Sequence, residues 1–358
     1  MKKRILVTPL DWGLGHATRC IPIIQELLAQ GADVLLASNG GAFELLRKEF
    51  PELVIEKLPA YNIHYASGNM YWNMGVQLPK IARAIISEYF ILQRLIRQHQ
   101  INAVISDNRY GCFSKKAKSI FITHQLNILI PNFILRFFAN FFNCQFIRRF
   151  DECWIPDESG EKSLSGKLSI SYYHIKVKYI GILSRMNYLQ VQKKYDIIII
   201  LSGPEPQRTI LEKIILEQIV QLPLEWLLVQ GKLNEDEEAR RRKGRERGSI
   251  IPFLNAKALN KAIAVSEIVI CRSGYSSIMD LAMLGKKAIL IPTPGQTEQE
   301  YLAERFSQKS IFYSQQQTRF NLRTALQEAQ HYSGLPNNID AHSQQKLKKI
   351  IRNFLESL

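Results

Sequence analysis

Residues 267–306 constrain the fold more than any other stretch of the chain. They contain two short aliphatic runs, at 268–271 and 288–291, each bounded by polar, glycine or proline residues. Such runs are typical of strands buried on both faces of a parallel sheet. The residues between them have helical spacing and stop at Gly285. The stretch therefore predicts a strand, a helix and a second strand of an α/β domain.

Polar residues follow both of these predicted strands. Arg272, Ser273 and Gly274 make a small turn that leads into the helix. The first turn of a helix has unpaired N–H groups and the positive end of the dipole, so this turn is a candidate phosphate site. Gln299 and Glu300 open the helix after the second strand. Because open parallel sheets bind ligands at the carboxyl ends of their strands, we expect a ligand-binding edge here.

Length and composition favour a soluble protein of two domains. The chain has 358 residues, of which 46% are hydrophobic and 22% charged, and single domains rarely grow to this size. The start, Met1 to Arg4 followed at once by a strand pattern, does not predict a signal peptide. Five scattered cysteines without a C-x-x-C pair favour a reducing compartment and neither disulfides nor zinc.

The net charge of +15 favours an acidic partner. Nucleic acid, an anionic membrane surface and a diphosphate substrate all satisfy this condition. No common nucleic-acid-binding motif is present, so the sequence favours the last two. The oligomeric state is left open.

A second glycine-containing loop, from Asp11 to Arg19, follows the predicted strand 4–8. The loop runs into a helix, which is how a nucleotide-binding α/β domain begins. It lacks both the G-x-G-x-x-G spacing and the P-loop lysine, so neither NAD nor ATP is expected. Asp107 and His124 follow two later strands, at 103–106 and 119–123. The same sheet-edge argument makes them candidate acceptor-site residues, although Asp107 is equally suited to capping the following turn.

The order Cys271-Arg-Ser-Gly274, a carboxylate six residues later, a glycine, a strand ending in Pro292 and a glutamine-containing helix start resembles the C-terminal domain of the family 28 glycosyltransferases. The best-known member transfers N-acetylglucosamine to the lipid intermediate of peptidoglycan synthesis. The resemblance extends more weakly to the N-terminal loop and the interdomain segment. It implies the GT-B fold of class α/β, with two Rossmann-like domains facing across a cleft and a C-terminal helix crossing back to the first domain.

The resemblance also implies domain roles. We expect an N-terminal acceptor domain over 1–188, a C-terminal nucleotide-sugar donor domain over 189–338, and a closing helix over 339–358 that packs on the first domain. His16 becomes a candidate general base or phosphate ligand, with a simple helix cap as the alternative, and Arg19 is placed to neutralise charge beside it. The candidate acceptor-binding residues are Gly15, Arg19, Asp107 and His124.

Asp280 stands where the family uses a glutamate to hold the ribose hydroxyls, and Gln299 and Glu300 stand where two glutamines contact the hexose. Arg185 falls near the donor diphosphate by the same resemblance. The family's second glycine-rich loop corresponds to the segment after Leu201, but prolines there remove backbone N–H groups that hold phosphate. The full set of candidate donor-binding residues is Arg185, Ser202, Gly203, Arg272, Ser273, Gly274, Tyr275, Asp280, Gln299 and Glu300.

The expected reaction is transfer of a sugar from a UDP-sugar to a hydroxyl by direct, inverting displacement. No Asp-x-Asp pair lies at a strand end, so neither a metal nor another cofactor is expected. An epimerase or hydrolase of similar fold and a non-catalytic nucleotide-sugar-binding subunit are the alternatives.

Two segments leave alternatives open. The aromatic segment 61–75, which includes His64, suits either an acceptor-site loop or an ordinary surface excursion. Segment 132–149 carries six phenylalanines, with Arg136, Arg148 and Arg149 as its charged residues. It suits either a helix packed in the core or an amphipathic helix at a membrane surface. We accordingly expect a cytoplasmic enzyme, either free or bound to the inner face of the plasma membrane.

Overall fold

The computed structural model describes residues 2–61, 70–232, 242–244, 247–336 and 340–358. The chain divides into two compact units. Unit 1 comprises Met1–Ser184 together with Ala341–Leu358, and unit 2 comprises Arg185–Asp340. No helix within the described residues is both long enough and apolar enough to cross a membrane.

Unit 1 is built on a parallel sheet whose described strands run in the order β3-β2-β1-β4-β5-β6-β7. The chain leaves β1, builds outward to β3 on one side, and then returns to place β4 beside β1, with Pro9 opposite Asp107. This reversal creates the crevice where open α/β sheets bind ligands. The strands are β1 Arg4–Pro9, β2 Asp33–Ser38, β3 Ile55–Lys57, β4 Ala103–Asp107, β5 Lys118–Ile122, β6 Glu152–Ile155 and β7 Val177–Tyr179. The helices are α1 Gly15–Ala29, α2 Gly40–Glu49, α3 Met70–His99 and α4 Phe133–Ile147.

Unit 2 repeats this plan. Its described strands run in the order β10-β11-β9-β8-β12-β13-β14, and all pair in parallel except β10 with β11. Here the reversal lies between β8 and β12. The strands are β8 Tyr195–Ile200, β9 Trp226–Val229, β10 Arg242–Gly244, β11 Gly248–Ile251, β12 Ser266–Cys271, β13 Lys287–Leu290 and β14 Tyr313–Ser314. The helices are α5 Gln207–Ile219, α6 Ala256–Ala264, α7 Tyr275–Leu284, α8 Thr297–Gln308 and α9 Leu322–Ala329.

The last helix, α10 Asp340–Glu356, returns to unit 1. Lys346 pairs with Glu158 at 2.6 Å, and the ring of Phe354 meets that of Trp154 edge-on at 5.3 Å between centroids. Both partners lie on or just after β6. The expected C-terminal helix that packs back on the first sheet is therefore present.

Several element boundaries differ from the sequence expectations. The sequence did not predict β7, β14 or α9. α3 begins at Met70, so the expected irregular segment 61–75 is helical from that residue onward. Residues 62–69, including His64, lie outside the described residues. β7 and β14 are short and only partly buried, so they lack the continuous apolar run that marks a central strand.

Candidate functional site

Three side chains converge at the carboxyl edge of the unit 1 sheet, in the crevice between β1 and β4. His16 and Arg19 lie three residues apart in the first turns of α1, so both project from the same face of the helix. They meet Asp107 at the end of β4. His16 Nδ1 is 2.8 Å from Asp107 Oδ1, and Arg19 donates to both oxygens of this carboxylate, with Nε 2.5 Å from Oδ2. Arg19 Nη1 also lies 3.1 Å from Nδ1 of His124.

Burial and the charges in this cluster favour the neutral form of His16. Burial alone would raise the pKa of Asp107, but Arg19 and His16 outweigh it and hold that pKa well below its usual range. Burial lowers the pKa of His16 below 6.5, and the positive charge of Arg19 lowers it further, against the opposing effect of Asp107. Arg19 Nη2 is also 2.8 Å from His16 Nδ1. We assign the Nδ1 proton to the bond with Asp107, because an ionised carboxylate is the stronger acceptor, and Nε2 then carries the lone pair.

The His16 side chain is more exposed than the side chains that contact it. The His16 side chain is 16% exposed, whereas those of Arg19 and Asp107 are buried. His124 is buried as well, and Gly15 is partly buried at the start of α1. That Arg19, Asp107 and His124 contact an acceptor stays a prediction, and their burial leaves little of their side-chain surface exposed. Their bonds to one another fit residues that orient His16 from behind.

A second buried cluster, which the sequence did not predict, lies next to the first. Arg109 is fully buried and donates to Glu88 Oε1 at 2.6 Å, to the carbonyl of Pro9 at 2.9 Å and to Asp11 Oδ1 at 3.2 Å. The hydroxyl of Tyr61 donates to the other oxygen of Glu88 at 2.8 Å. Burial raises the pKa of Glu88, although Arg109 opposes the shift. This ion pair ties α3 to the loop that precedes His16.

Gly111 shows how closely α3 approaches this edge. A Cβ at that position would lie 2.2 Å from the carbonyl oxygen of Ile85 and 2.6 Å from Cβ of Glu88. Asp107, at the start of the segment that contains Gly111, was recognisable in the sequence as a polar residue after a strand. Its partners on α3, about 20 residues earlier in the chain, carried no local signal.

The candidate phosphate turn of unit 2 leads into α7. Gly274 is the N-cap of this helix, and as a glycine it has no side chain to cap the first turn. A Cβ placed on Gly274 would meet no atom of the described residues within 4 Å. Ser273 is buried, and its hydroxyl donates to the carbonyl of Gln299 at 2.7 Å. The Tyr275 side chain is buried too, so only its backbone can serve a ligand. Asp280 is half-buried on the same helix.

Arg272 is buried behind this turn. Its Nη2 donates to the carbonyl of Gln207 at 2.8 Å and to Gln317 Oε1 at 2.6 Å, and burial lowers its pKa to about 10. Arg272 Nε and the hydroxyl of Thr293 are buried and have no hydrogen-bond partner among the described residues. A Cβ on Gly203 would lie 3.9 Å and 3.5 Å from these two atoms. Unsatisfied donors beside an exposed glycine are the arrangement that an anionic ligand completes.

The remaining donor candidates fall into two groups. Gln299 and Glu300 hold the turn after β13, since Gln299 Oε1 accepts from the N–H of Thr293 at 2.9 Å and Glu300 Oε1 accepts from that of Gly295 at 3.0 Å. Ser202 is exposed beside Gly203, and Arg185 is half-buried as the first residue of unit 2. Within the described residues, no group of three His, Cys, Asp or Glu side chains is arranged to hold a metal ion.

A carboxylate of the chain itself, that of Glu205, binds at the N-terminus of α5, the helix that follows the loop of Ser202 and Gly203. Glu205 Oε2 accepts from the N–H of Thr209 at 3.2 Å, and Glu205 also pairs with Arg208. Its carboxylate thus takes the place that an anion would take at this helix end.

The helix α4 has its polar and apolar sides reversed relative to an ordinary core helix. Its buried side includes Asn140 and Asn143, whose amides bond to the carbonyls of Ile128 and Gln125 at 3.1 and 3.0 Å. Its outward side carries large apolar residues, 37% to 70% exposed, that we call the phenylalanine face: Phe133, Ile134, Leu135, Phe137, Phe138, Phe141 and Phe142. For these seven side chains the core alternative is wrong.

Residues 197–354 match the family described as "Glycosyltransferase family 28 C-terminal domain". The second half of the chain is thus similar to the C-terminal domain of the family 28 glycosyltransferases. This confirms the resemblance predicted from the turn at Arg272 and the helix that follows it.

Curated relatives give partial matches. The chain is 32% identical over 121 residues to the UDP-N-acetylglucosamine--N-acetylmuramyl-(pentapeptide) pyrophosphoryl-undecaprenol N-acetylglucosamine transferase of Flavobacterium psychrophilum, covering 32% of this chain and 30% of the relative. It is 30% identical over 160 residues to the enzyme of the same name from Finegoldia magna, covering 39% of this chain and 43% of the relative. The chain thus spans less than half the length of these relatives.

Solved structures match over the whole chain at low identity. MurG of Acinetobacter baumannii has a TM-score of 0.59 at 13% identity, with 99% of this chain and 100% of that chain covered. The glycosyltransferase SnogD of Streptomyces nogalater has a TM-score of 0.61 at 12% identity, with 100% and 99% covered. Together with the two Rossmann-like units, these matches confirm the GT-B fold. The relatives named here are all glycosyltransferases, so the comparisons do not favour the epimerase, hydrolase or binding-subunit alternatives.

Proposed function

We propose that the protein is a glycosyltransferase that moves a sugar from a UDP-sugar to a hydroxyl of a lipid-linked or glycan acceptor, by inverting displacement and without a metal ion. UDP-N-acetylglucosamine is the first donor to test, because the curated relatives are named for it. The observation that carries the proposal is the pair of buried atoms Arg272 Nε and Thr293 Oγ1, which have no hydrogen-bond partner among the described residues and lie close to the exposed Gly203.

That observation supports a diphosphate for electrostatic reasons. Arg272 makes no ion pair with the described residues, and its buried charge is balanced only by carbonyl and amide oxygens. An anion at the α7 N-terminus would relieve this imbalance and meet the positive end of the helix dipole. These groups also stabilise the negative charge that develops on UDP as it leaves. Asp280, farther along α7, is then the candidate for the ribose hydroxyls.

His16 supplies the base in this proposal. The acceptor oxygen forms a bond to the anomeric carbon as the bond from that carbon to the UDP oxygen breaks, and the electron pair of the broken bond leaves with UDP. The hydroxyl proton moves to His16 Nε2. Asp107, 2.8 Å from Nδ1, fixes the ring and stabilises the imidazolium that forms. Arg19 keeps Asp107 ionised and lowers the pKa of His16, so the base is neutral near pH 7.

The donor site can be tested by UDP calorimetry. Replacing Arg272 with Gln, or Thr293 with Val, should weaken UDP binding about tenfold to a hundredfold, as expected for loss of a charge-assisted hydrogen bond. Arg208→Gln is the matched control, since Arg208 is an arginine of the same unit that pairs with Glu205. Equal UDP affinity in all four proteins would overturn the proposal. Circular dichroism checks that each variant is folded.

Transfer itself is tested by UDP release from a panel of UDP-sugars with and without a membrane lipid extract as the acceptor source. A transferase releases UDP faster when acceptor is present, and activity should persist in excess EDTA. Release that is independent of acceptor would indicate a hydrolase, and no release would leave a binding protein.

A membrane-bound acceptor is supported by the phenylalanine face. The exposed rings of α4 lie beside Arg136, Arg148 and Arg149, which are also exposed. Exposed aromatics flanked by arginines suit insertion at the headgroup level of an anionic membrane. We therefore place the protein at the inner face of the plasma membrane as a peripheral enzyme.

Vesicle flotation tests this placement. Binding should rise with the fraction of anionic lipid and fall with salt. Changing the three arginines to Gln should remove about 3 kcal/mol of binding, at about 1 kcal/mol for each basic residue. Arg47→Gln, an exposed arginine on α2, serves as the control. Recovery of the wild-type protein in the soluble fraction at every lipid composition would instead indicate a soluble acceptor.

A further inference from the structure

Trp12 is an exposed aromatic residue on the loop between β1 and α1. Its side chain is 38% exposed, whereas those of Trp154 and Trp226 are buried. The loop leaves the sheet at Pro9 and enters α1 at Gly15, one residue before the proposed base. Trp12 therefore lies at the same edge of the sheet as His16.

The residues before Trp12 are firmly held. The carbonyl of Pro9 accepts from Arg109 Nε at 2.9 Å and from the hydroxyl of Ser38 at 2.8 Å. The carboxylate of Asp11 accepts from Arg109 Nη2 at 3.2 Å. Arg109 itself is locked by its buried pair with Glu88. Because Glu88 belongs to the helix α3, these contacts tie the loop before Trp12 to that helix.

The residues after Trp12 are held by α1. The N–H of Thr18 donates to the carbonyl of Leu14 at 2.9 Å, and the hydroxyl of Thr18 donates to the carbonyl of Gly15 at 3.0 Å. Between the two anchors, Gly13 has a φ of +80°, and a Cβ placed on it would meet no atom of the described residues within 4 Å. The loop that carries the partly exposed Trp12 is thus held on both sides. A side chain on an anchored loop binds a ligand with little loss of conformational entropy.

The chemistry around the ring indicates which ligand fits. A pyranose has an apolar face of C–H groups and a rim of hydroxyls, so it needs a flat aromatic surface and nearby hydrogen-bonding groups. Trp12 supplies the surface, and Asp11 and His16 supply polar groups on either side of it in the chain. A lipid chain would need an extended apolar surface, which the phenylalanine face on α4 provides and this polar loop does not.

We propose that Trp12 is the acceptor-recognition residue, whose ring stacks on a pyranose of the acceptor and sets that sugar's hydroxyl before His16. This inference rests on the proposed function, because it takes the acceptor to be a glycan and His16 to be the base. It makes Arg109 and Glu88 positioning residues for the ring.

The first test needs no turnover. Methyl pyranosides of hexoses and of 2-acetamido hexoses are titrated into the full-length protein while tryptophan fluorescence is recorded. Sorbitol is the control, since it has hydroxyls but no rigid ring face. Subtracting the signal of Trp12→Phe isolates the emission of Trp12 from that of the other tryptophans. A saturable change with pyranosides and none with sorbitol is expected.

The second test separates acceptor binding from chemistry. Trp12→Ala should raise the KM for the acceptor about tenfold, as expected for loss of a stacking contact, with kcat little changed. Trp12→Tyr should retain most of the affinity, and the UDP Kd should not change in either variant.

The outcomes distinguish this inference from the proposed function. Equal responses to pyranosides and sorbitol, or a Trp12 response to phosphatidylcholine vesicles instead of sugars, would overturn the stacking role. An unchanged acceptor KM in Trp12→Ala would also overturn it. Failure of the wild-type protein to bind UDP would reject the proposed function, while a Trp12-dependent pyranoside signal would still establish a sugar site.

Discussion

Replacement of His16 by Gln is the sharpest test of the buried cluster in unit 1. In the wild-type protein His16 Nδ1 lies 2.8 Å from Asp107 Oδ1. Gln has an amide that can donate to the same carboxylate, so Asp107 keeps a partner. The Gln side chain cannot accept a proton at neutral pH. We expect kcat/KM to fall about 10²- to 10⁴-fold, the usual contribution of a general base. The UDP Kd should stay unchanged, because the proposed UDP contacts all lie on unit 2.

The pH profile gives a second, independent readout. His16 works as a base only while it is neutral, so wild-type activity should fall as the pH drops through its pKa. Burial and Arg19 lower that pKa below 6.5, so activity should persist to a lower pH than an ordinary histidine would allow. The acid limb that belongs to His16 should disappear in His16→Gln. UDP release can be followed from pH 5 to 8 in both proteins.

His124→Gln is the matched control. His124 contacts the same Arg19, at 3.1 Å, but its side chain is buried. We expect less than about a tenfold loss of activity in this variant, since it removes no proton acceptor from the reaction. A loss below tenfold in His16→Gln, or an unchanged acid limb, would show that His16 is a helix-start residue and nothing more.

Three further variants test other contacts. Glu88→Gln should lower the free energy of unfolding by about 3–5 kcal/mol, because the buried charge of Arg109 loses its closest acid partner, and urea denaturation would show no change if the pair were unimportant. Asp280→Ala should weaken UDP binding by about 1.5–3 kcal/mol in calorimetry, and an unchanged Kd would remove Asp280 from the site. Glu300→Gln keeps an oxygen for the N–H of Gly295 but adds a donor, so it should change the order of preference among UDP-sugars. An unaltered order of preference would show that Glu300 does not determine which sugar is selected.

Unit 2 could be predicted in some detail because its signals are local. Each central strand is a continuous aliphatic run, as in β8, and each is followed within a few residues by a turn and a helix. The phosphate turn at Arg272 follows from the same pattern. The sequence could not reveal that the Arg272 side chain is buried and linked to Gln317, because this contact joins residues 45 positions apart.

The cluster at Arg109 and the orientation of α4 show where sequence reasoning stops. Arg109 and Glu88 meet only because α3 packs against the sheet edge, and neither residue carries a mark of burial in the sequence. In α4 most positions are apolar, so the apolar residues do not mark which side faces outward. Here hydrogen bonds from Asn140 and Asn143 decide the orientation, and the buried side is the one that satisfies these amides.

The two helix N-termini at the reversal of the unit 2 sheet are electrostatically unequal, and this bears on where a diphosphate binds. The resembled family favours the loop before α5, but here Glu205 already bonds the N–H of Thr209 at that terminus. A phosphate there would meet a carboxylate and would have to displace it. At α7 the N-cap is Gly274, which has no side chain of its own to cap the helix, and Arg272 lies behind this terminus without a carboxylate partner among the described residues. We therefore expect the diphosphate to bind mainly at α7, with Gly203 contributing through the absence of a side chain between the ligand and Arg272 Nε.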